Sequence, residues 1–476
     1  MRARLLLPAA ALTAFGGSLV AGFHLDDYAI FSDPLPRALG WPHPLTHLID
    51  WLNYRVAGQE PLGYHAVNLL LHLGAVLLAY ECLRRLLPAT AAVIAAAIFA
   101  VHPLQTEAVD YVAARGVTIA AVLCFAALLA WIEGQPWVAV AAFGAALLAD
   151  ERCALFPLVL LMVRPAEHGP NASGQGSAGG TACATQADSV FPVVGQPVPP
   201  ASLLLPVALS LALATAVLLR VHMENYAFAL VGLRFLRLFV VPWGFTIAPD
   251  IHEPLWLAIA AVVAVVAVAV WRRRQLSVHS EWTWLLAGLL LLIPGFSANP
   301  ATDPRAYLPL FAFAAAAGLL LARIPARSLA IGVVVVLAAI SVSRTYVWMS
   351  EERLWREAVR RAPGQAEPKI QLAKQVRAAE ALELLNRARE QAPYNPEIPA
   401  EIGKVLLDEQ QYDGAVDERS RAVAMNPRNA LAFNNRGVAL TALGQTPAAA
   451  MDFEHALRLD PHLAEAQENL KRLGVR

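Results

Sequence analysis

Residues 64–83 read YHAVNLLLHLGAVLLAYECL, and Glu81 is the only Asp, Glu, Lys or Arg among them. A helix needs about 20 mostly apolar residues to cross the hydrocarbon core of a bilayer, where no water satisfies an exposed backbone. The stretch has this length and this composition. It therefore predicts a membrane-spanning helix, and with it an all-α membrane protein.

Apolar runs of this kind recur along the chain and predict about eleven membrane spans. They cover residues 5–23, 64–83, 87–101, 114–132, 136–149, 153–164, 201–221, 254–271, 282–296, 306–322 and 328–346. The composition agrees, because 57% of the 476 residues are hydrophobic and only 16% are charged, which excludes a soluble enzyme. We expect a polytopic membrane domain over residues 1–347, with a flexible cytoplasmic linker at 165–200 that is rich in Gly, Ala, Ser and Pro.

The charge balance and the cysteines exclude further classes of protein. The chain has 37 basic and 37 acidic residues, so no net positive field attracts nucleic acid, and we expect no nucleic-acid partner. The four cysteines show no CxxC spacing, which argues against a zinc site and against a disulfide framework.

The last quarter of the chain contains a sequence repeat. Prolines stand at 363, 393, 427 and 461, at intervals of 30, 34 and 34 residues. An alanine precedes each proline by five residues, and the positions eight residues before the prolines hold Trp355, Leu385, Arg419 and Phe453. This period is typical of tetratricopeptide repeats, in which two antiparallel helices pack closely and proline ends the second. Residues 348–476 are therefore predicted to form an α-solenoid of about three repeats with a capping helix at 462–474.

Three residues predict how the repeats pack. Gly403 and Gly437 occupy the close-packing position of the first helix, whereas Arg419 departs from the bulky type and predicts a weaker joint. Repeat arrays bind extended peptides or partner proteins in a concave groove. We expect a partner or an acceptor protein to bind there, and a purely structural lid on the membrane domain is the alternative.

The arginines predict the orientation, since they are retained on the cytoplasmic side. Those at positions 2, 4, 84, 85, 164, 272–274, 323 and 327 can all lie inside in an eleven-span arrangement. An odd number of crossings then places the repeats outside the cytoplasm. Only four of the basic residues are lysines, and alanine is abundant, which is typical of proteins from GC-rich bacteria. We therefore expect the protein to reside in a bacterial inner membrane.

Four polar clusters follow predicted spans on the outer side, where ionisable groups beside hydrocarbon are costly and tend to be functional. They are Asp26-Asp27, the block 102–115, the turn 150–152 and the block 303–309. Adjacent carboxylates can act as a general base or hold a divalent cation, and an arginine at a helix entry can hold a phosphate. Solvated helix caps and charged turns are the alternative interpretation of each cluster. The sequence contains no P-loop, GxSxG or HExxH motif.

Together these segments resemble the transmembrane-and-tetratricopeptide O-mannosyltransferases and their bacterial relatives, which belong to the GT-C glycosyltransferase superfamily. The resemblance rests on the order of Asp26-Asp27, residues 51–55, 63–72 and 102–115, Glu151 with Pro157, residues 242–250 and 307–309, and Leu354-Trp355 ahead of the repeats. It implies a GT-C fold with active-site loops outside the cytoplasm. It also implies a lipid-linked sugar donor, carried in a bacterium by undecaprenyl phosphate.

The resemblance further implies roles for individual residues. Asp27, with Asp26, would be the base or a metal-binding carboxylate, and Glu107 would join them in the catalytic centre. The candidates for contact with the donor phosphate are Arg115, Arg305 and His102. The sequence demands no cofactor, although a divalent cation would suit the carboxylates.

The function implied is transfer of a sugar, such as mannose, from a polyprenyl-phosphate donor to an extracytoplasmic protein or glycan. The chain departs from the family pattern at His43, where relatives commonly have arginine, and at Asp150, where they have lysine. The loss of two cations leaves less charge to stabilise a phosphate leaving group. Two alternatives therefore stay open, namely a catalytically inactive membrane-anchored repeat scaffold and a polysaccharide polymerase or ligase.

Overall fold

The computed structural model describes residues 2–24, 27–28, 43–163, 277–292 and 303–474, with short pieces at 205–206, 208–210, 212–213, 234 and 237–242. In this part of the chain every regular element is a helix, so the predicted all-α class is confirmed. The chain divides into two compact units, a membrane unit that reaches Met349 and a repeat unit that begins at Ser350.

The membrane unit consists of α-helices joined by short 3-10 turns. The α-helices are α1 (Arg2–Phe15), α2 (Pro44–Ala57), α3 (Pro61–Leu86), α4 (Ala89–Val101), α5 (Thr106–Asp110), α6 (Arg115–Ile132), α7 (Pro136–Ala149), α8 (Pro157–Met162), α9 (Glu281–Leu292), α10 (Tyr307–Ala322) and α11 (Arg327–Trp348). The 3-10 turns are Gly16–Val20, Pro103–Gln105, Val112–Ala114, Glu151–Cys153 and Asp303–Ala306. Several helices begin with proline, whose fixed φ and missing N–H suit the first turn.

Four described helices are long and apolar enough to cross a membrane: Arg2–Val20, Pro61–Leu86, Val112–Ile132 and Arg327–Trp348. A fifth span results if α4 and Pro103–Asp110, which meet at a bend of 46°, form one broken crossing. The prediction of about eleven spans is therefore corrected to four or five in the described part of the chain. The odd number of crossings that would place the repeats outside no longer follows from a span count.

The apolar runs that do not qualify are mostly short helices. α7 has 14 residues, α9 has 12 and α10 has 16, which gives lengths of about 18–24 Å against a hydrocarbon core of about 30 Å. The run at 153–164 contains only the six-residue helix α8. The runs at 201–221 and 254–271 fall largely outside the described residues, as does the linker expected at 165–200.

Small side chains allow the membrane helices to approach closely. A Cβ at Gly318 of α10 would lie 2.5 Å from the carbonyl oxygen of Ala91 in α4, so only glycine fits there. A buried histidine links the same helices to α3, because His72 donates from Nε2 to the Ala100 carbonyl at 3.1 Å and accepts at Nδ1 from the Tyr307 hydroxyl at 2.7 Å. Close packing and buried hydrogen bonds thus fix α3, α4 and α10 against one another.

The repeat unit is a series of paired helices. They are α12 (Glu351–Arg361), α13 (Glu367–Ala373), α14 (Ala378–Gln391), α15 (Glu397–Asp408), α16 (Tyr412–Met425), α17 (Ala430–Ala442), α18 (Thr446–Leu459) and α19 (Ala464–Arg472). Each of the four periodic prolines lies two residues beyond the end of a helix, as expected of a helix stop. The alanines that precede these prolines are all buried. The helical repeats predicted from the sequence period are therefore present.

The predicted packing glycines also lie where the helices touch. A Cβ on Gly437 would come 2.6 Å from Cε1 of Phe453, and a Cβ on Gly403 would come 2.6 Å from Cγ of Arg419. Arg419 thus fills the bulky position with its aliphatic stem, while its Nε is buried and has no hydrogen-bond partner in the described part of the chain. The weaker joint expected at Arg419 stays a prediction, and this buried donor supports it, because an unsatisfied polar group is costly.

Candidate functional site

Arg115 begins α6 and is fully buried. Its Nη1 donates to Asp50 Oδ1 at 2.9 Å and to Asn53 Oδ1 at 3.0 Å, both on α2. On α3, Nε donates to Asn68 Oδ1 at 2.9 Å and Nη2 to the Tyr64 carbonyl at 3.2 Å. These contacts use most of the guanidinium donors on protein groups. A donor phosphate could contact Arg115 only if some of them were exchanged, so the predicted phosphate role stays a prediction.

The ion pair at the centre of this network is poorly hydrated. The side chain of Asp50 is 13% exposed and that of Arg115 is 0% exposed. Burial raises the pKa of Asp50, while the charges of Arg115 and His47 oppose that rise. Because a buried charge without its partner is strongly destabilising, the pair fixes the start of α6 relative to α2.

Asp27 lies in the turn after the first span, and its side chain is buried. Oδ2 accepts a hydrogen bond from the His24 amide at 2.9 Å, and Oδ1 accepts one from the Ala113 amide at 2.7 Å. Burial raises the pKa of Asp27 to about 7, although these amides and the charge of Arg115 act in the opposite direction. A carboxyl group with such a pKa changes protonation near neutral pH, as a general base requires. Asp26 lies outside the described residues.

His102 links two segments of the membrane unit rather than facing an open space. Its Nδ1 accepts from the Leu104 amide at 3.1 Å and caps the turn Pro103–Gln105, and its Nε2 donates to the Phe239 carbonyl at 3.3 Å. The imidazole is stacked on the Phe239 ring at a centroid distance of 5.5 Å. Both ring nitrogens are therefore engaged with the protein in this structure, and contact with a donor phosphate stays a prediction.

Arg305 and Glu107 lie close together. Arg305 is the third residue of the turn that leads into α10, and Glu107 lies in α5; their exposed fractions are 8% and 4%. Burial and the positive charges of Arg152 and Arg234 lower the pKa of Arg305 to about 10, while the carboxylates of Glu107 and Asp150 oppose the shift. Arg305 thus belongs to a group of three arginines and two acids, which comprises Arg152, Arg234, Arg305, Glu107 and Asp150.

A small cavity opens beside this group. Its wall includes Asp150, Arg152 and Arg305, and its apolar part comes from α6 and the start of α10. Arg152 is anchored, since its amide donates to Asp150 Oδ1 at 2.9 Å and its guanidinium forms an ion pair with the same oxygen, with Nε at 3.1 Å. Two guanidinium groups thus border one cavity at the entry of a helix. They could bind an anion there by charge, although a group larger than a water molecule would need the surrounding side chains to move.

The predicted residues therefore form two groups. Asp27 and Arg115 belong to the first, because their charges interact. Glu107 and Arg305 belong to the second, because theirs interact as well.

Sequence reasoning missed the partners of both arginines. It did not predict that Asp50, Asn53 and Asn68 would surround Arg115. Arg152 was named only as part of the charged turn 150–152, and its proximity and that of Arg234 to Arg305 were not predicted. A signal was present for the first three: Asn68 interrupts the apolar run 64–83, and Asp50 and Asn53 stand three residues apart on one helical face. The proximity of Arg234 to Arg305 has no sequence signal, since 71 positions separate them.

Comparison with known proteins gives partial matches. No family model matches the chain. The chain is 45% identical over 91 residues to protein O-mannosyl-transferase Tmtc1 of Drosophila melanogaster, a stretch that covers 19% of this chain and 10% of the relative. It is 34% identical over 92 residues to human protein O-mannosyl-transferase TMTC3, again 19% of this chain and 10% of the relative. These relatives are thus matched over about a tenth of their own length.

Proteins with tetratricopeptide repeats also match. Human RNA polymerase II-associated protein 3 is 29% identical over 101 residues, which cover 21% of this chain and 15% of that protein. Among solved structures, the first tetratricopeptide domain of Spaghetti (RPAP3), bound to an HSP90 peptide, is 28% identical and covers 23% of this chain and 86% of that chain, with a TM-score of 0.22. The chain is thus similar over part of its length to the TMTC protein O-mannosyl-transferases, which confirms this part of the predicted resemblance, whereas the resemblance to bacterial relatives stays a prediction.

Proposed function

We propose that this chain is an integral-membrane glycosyltransferase of GT-C type. It moves a sugar, mannose by analogy with the named activity of its relatives, from a polyprenyl-phosphate donor to a hydroxyl group of an extracytoplasmic protein or glycan. The relatives support the assignment as a transferase, because those from fruit fly and mouse are named protein O-mannosyl-transferases. The apolar helices support a donor that resides in a bilayer.

The observation that carries the proposal is the arginine group at Arg305. Arg305 is buried, and the like charges of Arg152 and Arg234 both act on it. Glu107 and Asp150 offset part of this positive charge, and perturbed groups of this kind cluster at functional sites. A phosphate that gains negative charge as its sugar leaves would be stabilised here, and more strongly in the transition state than in the ground state.

The proposed step is an inverting displacement. A carboxylate takes the proton of the acceptor hydroxyl, the acceptor oxygen bonds to the anomeric carbon, and the bond from that carbon to the phosphate oxygen breaks with its electrons on the phosphate. Asp27 is the proposed base, because its raised pKa keeps it basic enough at neutral pH. Glu107 is the second catalytic candidate, and it faces Arg305. Arg305 and Arg152 are proposed to contact the phosphate. Arg115 and His102 are proposed to position the elements around the site.

The repeat unit is proposed to bind a protein partner, and the acceptor protein is the simplest such partner. Tetratricopeptide helix pairs stack into a concave surface that suits an extended peptide. The proposed setting is a bacterial inner membrane, with the repeats and the active-site loops on the extracytoplasmic side, on the basis of arginine usage and alanine content.

The experiment that tests the proposal is sugar transfer by the purified full-length protein in lipid nanodiscs, with radiolabelled mannosyl-phosphoryl-undecaprenol and candidate acceptor peptides. We expect Arg305→Gln and Arg152→Gln to lower kcat/KM by about tenfold or more, or ~1.4 kcal/mol of transition-state stabilisation. Arg323→Gln is the matched control, since Arg323 lies at the other end of α10 in an exposed pair with Glu281. Wild-type protein that retains a partner through its repeats but never consumes the donor would support the scaffold instead.

A further inference from the structure

His43, Asp150 and Glu151 converge in the membrane unit although 107 positions separate the first two in the sequence. His43 directly precedes α2, and the two acids directly follow α7. One ligand atom from each residue, an imidazole nitrogen and two carboxylate oxygens, lies within 4.8 Å of the others. These are the two positions at which the chain departs from the family pattern, together with the neighbouring glutamate.

The fold holds this cluster firmly. Thr46 Oγ1, one turn into α2, donates to the Ala149 carbonyl at the end of α7 at 2.8 Å. The start of α6 closes the third side at Gly116, where a Cβ would lie 3.1 Å from the Ala149 carbonyl oxygen and 3.5 Å from Asp150 Oδ2. The ends of three helices thus meet at the cluster, and its geometry is set by tightly packed backbone.

The three side chains still have coordination capacity. His43 Nε2 and Glu151 Oε2 form a direct ion-pair contact, with side-chain exposures of 25% and 19%. The side chain of Asp150 is only 4% exposed. Its Oδ1 accepts from Arg152, whereas Oδ2 accepts no hydrogen bond from any residue in the described ranges. A carboxylate oxygen without a hydrogen-bond partner in these ranges, next to an imidazole and a second carboxylate, is available to bind a metal ion.

We propose that His43, Asp150 and Glu151 bind a divalent transition-metal ion of the Mn²⁺ or Zn²⁺ type. At ligand distances of about 2.0–2.2 Å, three donors around one ion lie about 3.0–3.8 Å apart. The ligand atoms, which lie within 4.8 Å of one another, would therefore move by up to about 1 Å on binding, and the contact between His43 and Glu151 would open. One imidazole and two carboxylates suit these ions better than Mg²⁺, which prefers oxygen ligands and water. The charge of the site also suits a divalent cation. The carboxylates of Asp150 and Glu151 and the guanidinium of Arg152 sum to one net negative charge.

The ion would stand beside the cavity bordered by Asp150, Arg152 and Arg305. It would supply positive charge where the resemblance leads one to expect an arginine and a lysine. The site does not depend on the proposed transferase activity, since the ligands are defined by their geometry alone. It is also separate from Asp27, whose carboxylate oxygens accept hydrogen bonds from the backbone at His24 and Ala113.

The direct test is a Mn²⁺ titration, followed by electron paramagnetic resonance, of chelator-treated full-length protein in nanodiscs. We expect one ion per chain, and affinity lower by about tenfold or more in His43→Asn and in Glu151→Gln. Asn is chosen because His43 has a φ of 65°, and Asn accepts this left-handed conformation. The matched control is His47→Asn on the same helix, which should bind like the wild type. Binding that persists in His43→Asn but is lost in Asp27→Asn would overturn the proposal, because the ion would then belong to the first loop.

A second variant distinguishes a metal site from a simple ion pair. His43→Asp tolerates the same φ and replaces the imidazole by a third carboxylate. We expect this variant to unfold at a lower temperature than the wild type in the presence of EDTA, and Mn²⁺ to restore much of the loss, because the ion neutralises the clustered carboxylates. An unfolding temperature that Mn²⁺ leaves unchanged in both the wild type and His43→Asp would show that the three residues form only an ion pair.

Discussion

Replacement of Arg115 by Gln is the change whose outcome the structure defines most sharply. The substitution deletes a guanidinium with 0% side-chain exposure and leaves Asp50 without its cationic partner. It also removes hydrogen bonds to Asn53, Asn68 and the Tyr64 carbonyl. If Arg115 acted mainly on a donor phosphate, the change would lower transfer and leave stability intact. The structure predicts a large loss of stability instead.

The size of the loss follows from the burial of the pair. Removal of one partner from a buried ion pair costs about 3–5 kcal/mol. Asp50 keeps a side-chain exposure of 13%, so some of its charge can be hydrated and the lower end of this range applies. A loss of about 3 kcal/mol lowers the unfolding temperature of a domain of this size by on the order of 5–10 °C.

The assay is thermal unfolding of the full-length protein in one detergent, followed by tryptophan fluorescence, for Arg115→Gln, Asp50→Asn and the double variant. The double variant should lose less than the sum of the single losses, because each single change already breaks the pair. Arg323→Gln is the control, since Arg323 is 59% exposed and its surface pair with Glu281 contributes at most about 1 kcal/mol. An unfolding temperature of Arg115→Gln equal to that of Arg323→Gln would refute the reasoning.

Three further predictions concern the repeats and the proposed base. Gly437→Ala should lower the unfolding temperature of the repeats, because the new Cβ would lie 2.6 Å from the ring of Phe453. Circular dichroism at the α-helix band measures the shift, and an unchanged unfolding temperature would contradict the close contact between Gly437 and Phe453. Arg419→Met should raise that temperature by several degrees, since it keeps the stem and removes a buried unsatisfied Nε worth about 1–3 kcal/mol; an equal or lower value would count against the weak joint. If Asp27 is the base, transfer at low substrate should rise with pH through about 7 and then level off, because the protonated carboxyl group cannot accept a proton; a flat rate profile between about pH 6 and pH 8 would remove that role.

The repeats were predictable because their signal is local. Each helix pair is encoded by about 34 consecutive residues. Within one such period, Gly437 marks the close-packing position, Phe453 marks the bulky position and the following proline marks the end of the second helix. The sequence also predicted the helical class and the long spans, because an apolar run of about 20 residues can cross the bilayer only as a helix.

The number of spans was not predictable in this way. Hydropathy detects an apolar stretch but not the residue at which its helix ends. The helix Pro136–Ala149 is apolar throughout, yet it ends where Asp150 starts a new turn, and it is too short to qualify as a span. In alanine-rich helices apolarity also reflects close packing against neighbouring protein, as at Ala91 beside Gly318.

The site was predictable only in part, for a related reason. The charged residues beside the spans were visible, but their partners come from elements far apart in the chain. Arg115 donates most of its hydrogen bonds to residues of α2 and α3, which lie 47 to 65 positions earlier in the sequence. Whether an arginine faces a substrate or an internal carboxylate depends on such tertiary contacts, and no local pattern encodes them.

The central claim is that the cavity beside Arg305 holds the phosphate of a lipid-linked sugar during transfer. The most direct measurement is the rate of mannose transfer from mannosyl-phosphoryl-undecaprenol by wild type, Arg305→Gln and Arg323→Gln in the same nanodiscs. The account predicts activity in the wild type and in Arg323→Gln, and a loss of about tenfold or more in folded, membrane-inserted Arg305→Gln. Equal rates for Arg305→Gln and the wild type would contradict it.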